Sequence, residues 1–211
     1  MSNQLPFNAA KAATLFAKSW VTSQPLEDIT HDCRPTTRAH GYAVQALLPE
    51  HVGPVGGWKI AATSVAGQRH IGVSGPLVGP VFAKHIVSDG ATVSLASNRM
   101  RVAEAEFAFR MRRDLLPRAT PYDTHEVLAA VASLHLAIEI PDSRYTDFAT
   151  VGAPQLIADN ACAHQFVLGP KAPDMWRQLD LAAHRVVGQV SERLTREGVG
   201  ANVLGDPRIA L

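Results

Sequence analysis

The sequence predicts an α+β protein, a strand-rich domain preceded by a helical cap. Three observations carry that reading. Apolar residues recur at helical spacing near the amino terminus, short β-rich or alternating runs succeed one another from residue 58 onward, and one well-signalled helix interrupts them. The 211 residues, 46% apolar and 18% charged, are enough to bury a sizeable core and do not have the composition of a disordered chain. The formal charge is 20 minus 19, or +1, which argues against nucleic acid or an anionic membrane as the main partner.

Asn8 heads the first element as an N-cap. Ala9, Ala12, Ala13, Phe16, Ala17 and Trp20 come after it at helical spacing, predicting an amphipathic helix over 8–22 that Pro25 keeps from continuing. A second helix is expected over 36–48, with Ala39, Tyr42, Ala43, Ala46 and Leu47 on one face and Pro49 as its stop. These helices define a cap region over residues 1–50. Gly53, Pro54, Gly56 and Gly57 then lead into a strand over 58–62, inside a second region running from 51 to 211. Residues 72–80 hold three glycines and two prolines, which predicts a long loop of the kind that carries function. Further strands are expected over 91–96, 101–109, 134–140, 164–168 and 184–192. Asp123, with Glu126 three residues on, predicts a capped helix over 123–134.

Lys11 and Lys18 interrupt the first apolar stretch, so it lacks the continuous core of a signal peptide, and no uncharged apolar run reaches the roughly 18 residues of a membrane span. Cys33 and Cys162 lie 162 − 33 = 129 residues apart without CxxC or Cys/His ligand spacing. The expectation is a reduced, cytoplasmic protein. Walker, Gly-x-Gly-x-x-Gly and Gly-x-Ser-x-Gly motifs do not occur, which disfavours nucleotidase, dehydrogenase and Ser/His hydrolase chemistry.

The carboxylates are the anomaly. Alternation over 101–109 puts Val102, Glu104, Glu106 and Ala108 on one strand face and Ala103, Ala105, Phe107 and Phe109 on the other. Same-face neighbours are about 7 Å apart along the backbone, close enough for both side chains to converge on one ion. Glu139 stands in Leu136-Ala137-Ile138-Glu139-Ile140, where a lone buried carboxylate would cost several kcal/mol. Oxygen-only ligands suit Mg²⁺, Mn²⁺ or Ca²⁺ rather than zinc or copper. The E-x-E spacing alone fits a solvated sheet face better, with Arg99, Arg101, Arg110, Arg112 and Arg113 as pairing partners, and Glu139 brings the two readings level. Lys59 reads either as a partly buried cation balancing carboxylate charge or as an ordinary snorkelling lysine. Asp142-Ser143-Arg144 and Asp159-Asn160 read as turn residues or as neighbours of a metal strand. His70 reads as a surface histidine or as a base on a closing lid.

Taken together, Tyr42-Ala43-Val44-Gln45, Gly57-Trp58-Lys59-Ile60 with Thr63-Ser64, Ala103-Glu104-Ala105-Glu106-Phe107-Ala108-Phe109, Ala137-Ile138-Glu139-Ile140-Pro141-Asp142-Ser143-Arg144 and Ala158-Asp159-Asn160-Ala161 resemble the 2-keto-4-pentenoate hydratases, in the same order. These belong to the fumarylacetoacetate hydrolase superfamily and are close relatives of 4-oxalocrotonate decarboxylase. The resemblance runs from about residue 38 to the end of the chain. It implies a mixed β-roll catalytic domain over 51–211 that holds one Mg²⁺ or Mn²⁺ on Glu104, Glu106 and Glu139. It also implies Lys59 as the active-site lysine, with Asp142 and Asn160 in segments lining the same pocket.

The activity so implied is metal-dependent addition of water to a 2-hydroxy-2,4-dienoate, giving a 4-hydroxy-2-oxo acid in meta-cleavage breakdown of aromatic compounds. Pro141 stands where these hydratases more often have valine, and arginines end the metal strand, so related activities stay open. They are decarboxylation of the 4-oxalocrotonate type, acylpyruvate hydrolysis with His70 as water activator, and a catalytically silent metal-binding partner of a related enzyme. A homo-oligomer is implied, associated with a related decarboxylase or hydratase. Asp206 and Pro207 form a helix-start signal at the carboxyl end, whereas the resembling enzymes continue with a helix and closing strands. The expectation is a chain lacking those elements, or a natural short homologue.

Overall fold

The computed structural model describes residues 6–27 and 29–211; residues 1–5 of the expected cap region lie outside the described residues. Helix α1 spans Ala9–Thr22 and opens as the sequence predicts, with the Asn8 side chain accepting from Lys11 N at 2.9 Å. It closes at Ser23, whose φ of 55° takes the chain into the left-handed region. Its buried face, Ala12, Ala13 and Phe16, packs on Val44, Leu48, Phe82, Tyr145 and Ala158. Phe16 meets Tyr145 edge to face at 5.7 Å, a geometry worth about 0.5–1.5 kcal/mol beyond area burial.

The second expected helix divides in two. Helix α2 covers Arg38–Gln45 behind a Thr37 cap, and α3 covers Leu48–Val52 with Pro49 in its first turn. Pro49 therefore starts a helix instead of stopping one, because a first-turn N–H has no intrahelical acceptor to lose. The buried face differs too: Gly41, Val44, Gln45 and Leu48 face inward, whereas Ala39, Ala43 and Ala46 are exposed. A Cβ on Gly41 would stand 2.5 Å from Pro154 O, so the helix after residue 152, α6 (Ala153–Ala158), approaches to backbone contact. Gln45 Nε2 donates to Val78 O at 2.8 Å and Ile157 O at 2.9 Å, which satisfies its buried amide.

Strands β1 (Val55–Ala61) and β2 (Leu77–Phe82) pair antiparallel, with Lys59 opposite Gly79 and Trp58 opposite Pro80. The loop expected over 72–80 thus ends at Pro76, and its last four residues are strand. Helix α4 (Val65–His70), capped by Ser64, was not expected; nor was α6. The strand expected over 91–96 is absent from that stretch, and β3 is Ile86–Ser88 instead. Alternation identifies runs able to pair but not which run finds a partner.

The remaining strands are β4 (Glu104–Met111), β5 (Val131–Ile140), β6 (Gln165–Lys171), β7 (Arg185–Val190) and β8 (Leu194–Val199). Sheet order is β3-β6-β5-β4, with β7 and β8 forming a separate antiparallel hairpin whose second strand the sequence reading missed. Helix α5 (Thr124–Ala129) stops short of the expected residue 134, because 131–134 join β5. Its start is as predicted, with Asp123 and Glu126 forming both halves of a capping box.

The described chain forms two compact units. One comprises residues 6–27, 29–103 and 139–166 and is built on the α1–α3 core above, with a second cluster of Leu77, Leu156, Ile157 and Ala161. The other comprises 104–138 and 167–211, and its core is Val131, Leu134, Trp176 and Leu181, with Phe107, Phe109 and Leu128 against it. Among the described residues no helix is long and apolar enough to cross a membrane.

Candidate metal centre

Phe107 and Phe109, half-buried, pack against the core of Val131, Leu134 and Trp176, and that contact orients β4. By strand alternation Glu104 and Glu106 take the opposite face. Glu139 comes from β5, next to β4 in the sheet order. One carboxylate oxygen from each of Glu104, Glu106 and Glu139 lies within 4.8 Å of the other two. Glu104 is exposed, Glu106 half-buried, and Glu139 only 2% exposed. Two like charges 4 Å apart repel by about 1 kcal/mol in water and about 4 kcal/mol at the effective dielectric of a protein surface. Three such groups on one small volume, all oxygen donors, fit a hard divalent cation.

Lys59 settles as a buried cation and not a snorkelling one. Its Nζ lies 3.2 Å from Glu139 Oε2 and donates to Ala161 O at 3.1 Å, with 9% of its side chain exposed. The carbonyl it uses belongs to an unusual turn. Asn160, Ala161 and Cys162 take φ of 61°, 49° and 59°, three successive left-handed residues without a glycine, each costing about 1–3 kcal/mol. Asn160 holds that turn: fully buried, it donates through Nδ2 to Pro80 O at 2.8 Å and Ala163 O at 3.3 Å. Gly79 lets the turn approach, since a Cβ there would stand 2.3 Å from Asn160 O. Burial pushes the Cys162 thiol up to about 12, with the Asp159 charge adding to it.

Asp142 is engaged with main chain. Its Oδ1 accepts from Arg99 N at 2.8 Å and Met100 N at 3.4 Å, and its own N–H donates to Cys162 O at 3.0 Å. Lys59 is thus paired with Glu139, one of the three clustered glutamates, while Asp142 and Asn160 serve backbone groups. His70 sits exposed on the last turn of α4, its ring 6.0 Å from Phe148.

Asp159, read from the sequence as a turn residue or a neighbour of the metal strand, proves to be half of a buried ion pair. It is fully buried and accepts from Ser143 Oγ at 2.5 Å, from Arg144 N at 3.0 Å and from Arg144 Nε. Burial pushes its carboxyl up and the Arg144 charge pulls it back. The Arg144 guanidinium lies 4.2 Å from the Trp20 ring centroid. Only the charge of Asp159 after the apolar run Leu156-Ile157-Ala158 signalled this pair. His85 and His164, which the sequence reading missed, face each other with ring centroids 5.1 Å apart.

No family model matches the chain. It is similar to a 2-keto-4-pentenoate hydratase of Burkholderia vietnamiensis, 38% identical over 152 residues, which cover 72% of this chain and 56% of that protein. A 2-keto-4-pentenoate hydratase of Paraburkholderia xenovorans is 31% identical over 210 residues, covering 96% of this chain and 75% of the relative. A 4-oxalocrotonate decarboxylase of a Pseudomonas species is 32% identical over 197 residues, 90% of this chain and 73% of the relative. Among solved structures, 4-oxalocrotonate decarboxylase from Pseudomonas putida, complexed with magnesium and adipate, shares the fold with a TM-score of 0.77 at 24% identity, over 95% of this chain and 76% of that one. The chain spans little more than half the length of the first of these relatives.

Proposed function

The chain belongs to the family of 2-keto-4-pentenoate hydratases and 4-oxalocrotonate decarboxylases, and from that premise we propose that it is a divalent-metal-dependent hydro-lyase. The reaction is addition of water to a 2-hydroxy-2,4-dienoate of the 2-keto-4-pentenoate type, giving a 4-hydroxy-2-oxo acid in aromatic catabolism. The observation that carries this reading is the convergence of Glu104, Glu106 and Glu139 beside the buried ammonium of Lys59.

In this reading Glu104, Glu106 and Glu139 hold Mg²⁺ or Mn²⁺, which the all-oxygen donor set suits and to which zinc and copper are poorly matched. When bound, the cation supplies Lewis-acid polarisation of a 2-oxo acid's carboxylate and keto oxygens. Lys59 does two things through Nζ. It compensates the buried Glu139 charge, and it offers a positive charge to the substrate carboxylate or to the oxygen that becomes negative as the dienol ketonises. Asn160 supports Lys59 indirectly, by holding the left-handed turn whose Ala161 carbonyl receives the lysine N–H. Asp142 belongs to the same framework through its hold on residues 99 and 100. The family resemblance further implies a cytoplasmic homo-oligomer that associates with a related decarboxylase or hydratase; sedimentation with and without such a partner tests that part.

The test is turnover. Purified protein with Mn²⁺ should consume enzymatically generated 2-hydroxypenta-2,4-dienoate, seen as loss of the dienol absorbance faster than in buffer. The similarity to a 4-oxalocrotonate decarboxylase favours one second reading, in which the same site drives loss of CO₂. Release of CO₂ from a six-carbon dicarboxylate analogue, with the dienol untouched, would replace the hydratase assignment by that one.

A further inference from the structure

Two buried polar side chains tie the chain that leads into β4 to the chain that leaves Glu139. Asn98 Nδ2 donates to Pro141 O at 2.9 Å, while Asn98 Oδ1 accepts from Arg101 N at 2.6 Å. Asp142 Oδ1 accepts from Arg99 N and Met100 N, and Arg99 Nη1 lies 3.9 Å from Asp142 Oδ2 and donates to Ser143 O at 3.4 Å. Three consecutive residues, 98–100, are therefore clamped onto 141–143, and Arg101 is tied back to Asn98. Arg101 takes a φ of 49°, a left-handed conformation that the clamp has to hold.

Each side of this clamp is a short step along the chain from a candidate ligand. Residues 91–103 contain no strand or helix, so the clamped turn is the fixed part of the run into β4. Glu104 comes 104 − 101 = 3 residues after the turn, and Asp142 comes 142 − 139 = 3 residues after Glu139. Three residues reach at most about 10–11 Å, so the place of the turn bounds where Glu104 can stand.

We propose that Asp142, seconded by Asn98, is a positioning residue of the metal centre, its carboxylate acting as a hydrogen-bond acceptor that fixes the turn three residues before Glu104 against the segment that leaves Glu139. The inference rests on the metal-site reading of the proposed function. It departs from what the resemblance implied for Asp142, a place in a segment lining the pocket.

The experiment measures Mn²⁺ affinity by calorimetry and amide hydrogen exchange at Arg99 and Met100, on the full chain. Asp142→Ala should weaken Mn²⁺ binding by roughly 10–100-fold, the range typical of lost outer-sphere support, and speed exchange at both amides. Asp142→Asn keeps an acceptor at Oδ1 and should recover most of the Mn²⁺ affinity and the slow exchange. If Asp142→Ala does not fold, Asn98→Asp serves in its place; it keeps the acceptor for Arg101 N, loses the donor to Pro141 O, and should also weaken Mn²⁺ binding. Unchanged Mn²⁺ affinity in the folded variant overturns the proposal. So does an Asp142→Asn protein that binds Mn²⁺ as wild type yet loses turnover as completely as Asp142→Ala, since that marks a proton carrier. Equal Mn²⁺ binding by wild type and Glu106→Gln would overturn the underlying metal reading and this inference with it, and is told apart because the exchange rates at Arg99 and Met100 would still respond to Asp142→Ala.

Discussion

Lys59 Nζ lies 3.2 Å from Glu139 Oε2, joining the middle of β1 to the end of β5 by an ion pair that is 9% and 3% exposed. Removing one partner of such a pair leaves the other charge buried without its counter-charge, which costs more than the pair itself contributes.

Lys59→Met should accordingly lower the stability of the metal-free protein by about 3–5 kcal/mol in urea unfolding. Saturating Mn²⁺ should recover part of that loss, because a cation near Glu139 takes over its compensation. Turnover should fall or KM rise. Wild-type stability and kinetics together would make Lys59 an ordinary surface lysine.

Glu106→Gln tests the metal centre directly. A ligand at 100 times its Kd stabilises the folded state by about 2.7 kcal/mol, so wild-type protein should show a clear rise in melting temperature between chelator and excess Mn²⁺. The variant should show little or none of that rise and no dienol turnover. An undiminished Mn²⁺-dependent shift would remove Glu106 from the ligand set.

Gly79→Ala places a methyl group where Asn160 O would be only 2.3 Å away, with Ala161 Cβ at 3.1 Å. The obstacle is main chain, so β2 or the left-handed turn has to move. The expected cost is about 1–3 kcal/mol of stability, with weaker activity as Ala161 O leaves Lys59. Thermal unfolding beside a kinetic assay would read both. A fully stable, fully active variant would mean that the turn is more compliant than its contacts suggest.

Acid should destabilise the protein earlier than its carboxylates alone would dictate. Burial, then the neighbouring Lys84 and Arg144 charges, lowers His85 from 6.5 to about 4; burial, then Arg144 and His85, lowers His164 from 6.5 to about 3. A depressed folded-state pKa means that the unfolded chain takes the proton first, so stability present above pH 6.5 is lost as pH falls towards about 4 and about 3. Glu126, held down to about 2 first by Arg118 and then by the Asp123 backbone, acts in a lower window beginning at 4.5. Urea midpoints should therefore decline between pH 7 and pH 5, and the double change His85→Gln with His164→Gln should flatten that decline. A flat wild-type profile over the same range would contradict it.

How much of the fold is legible in the sequence depends on how local the physics is. The Asn8 cap and the Asp123–Glu126 capping box were legible because a cap is a contact between residues three apart. Glu139 was legible because one charge among Leu136, Ala137, Ile138 and Ile140 contradicts its own strand. Helix ends were less so: α5 stops at Ala129 because Val131–Leu134 gain more as a strand of a four-stranded sheet than as further helical turns. Likewise 86–88 pair beside β6 and 91–96 do not, a choice that the alternation of either run does not reveal.

By itself, then, the sequence determined the chemistry of the donor set: two carboxylates on one face of a strand, a third in an apolar run, and a lysine after a glycine-rich approach. Tertiary structure alone decided which of these meet. It brought the three carboxylates within 4.8 Å and put Lys59 on Glu139 across 139 − 59 = 80 residues. It also turned Asp142 and Asn160, for which the family resemblance implied the pocket, towards the N–H groups of 99 and 100 and the carbonyls of 80 and 163. The physical reason is that a side chain's charge and hydrogen-bonding capacity are intrinsic to the residue, whereas its partner is set by sheet order and by close approaches such as Gly79 against Asn160, which depend on the packing of the whole chain.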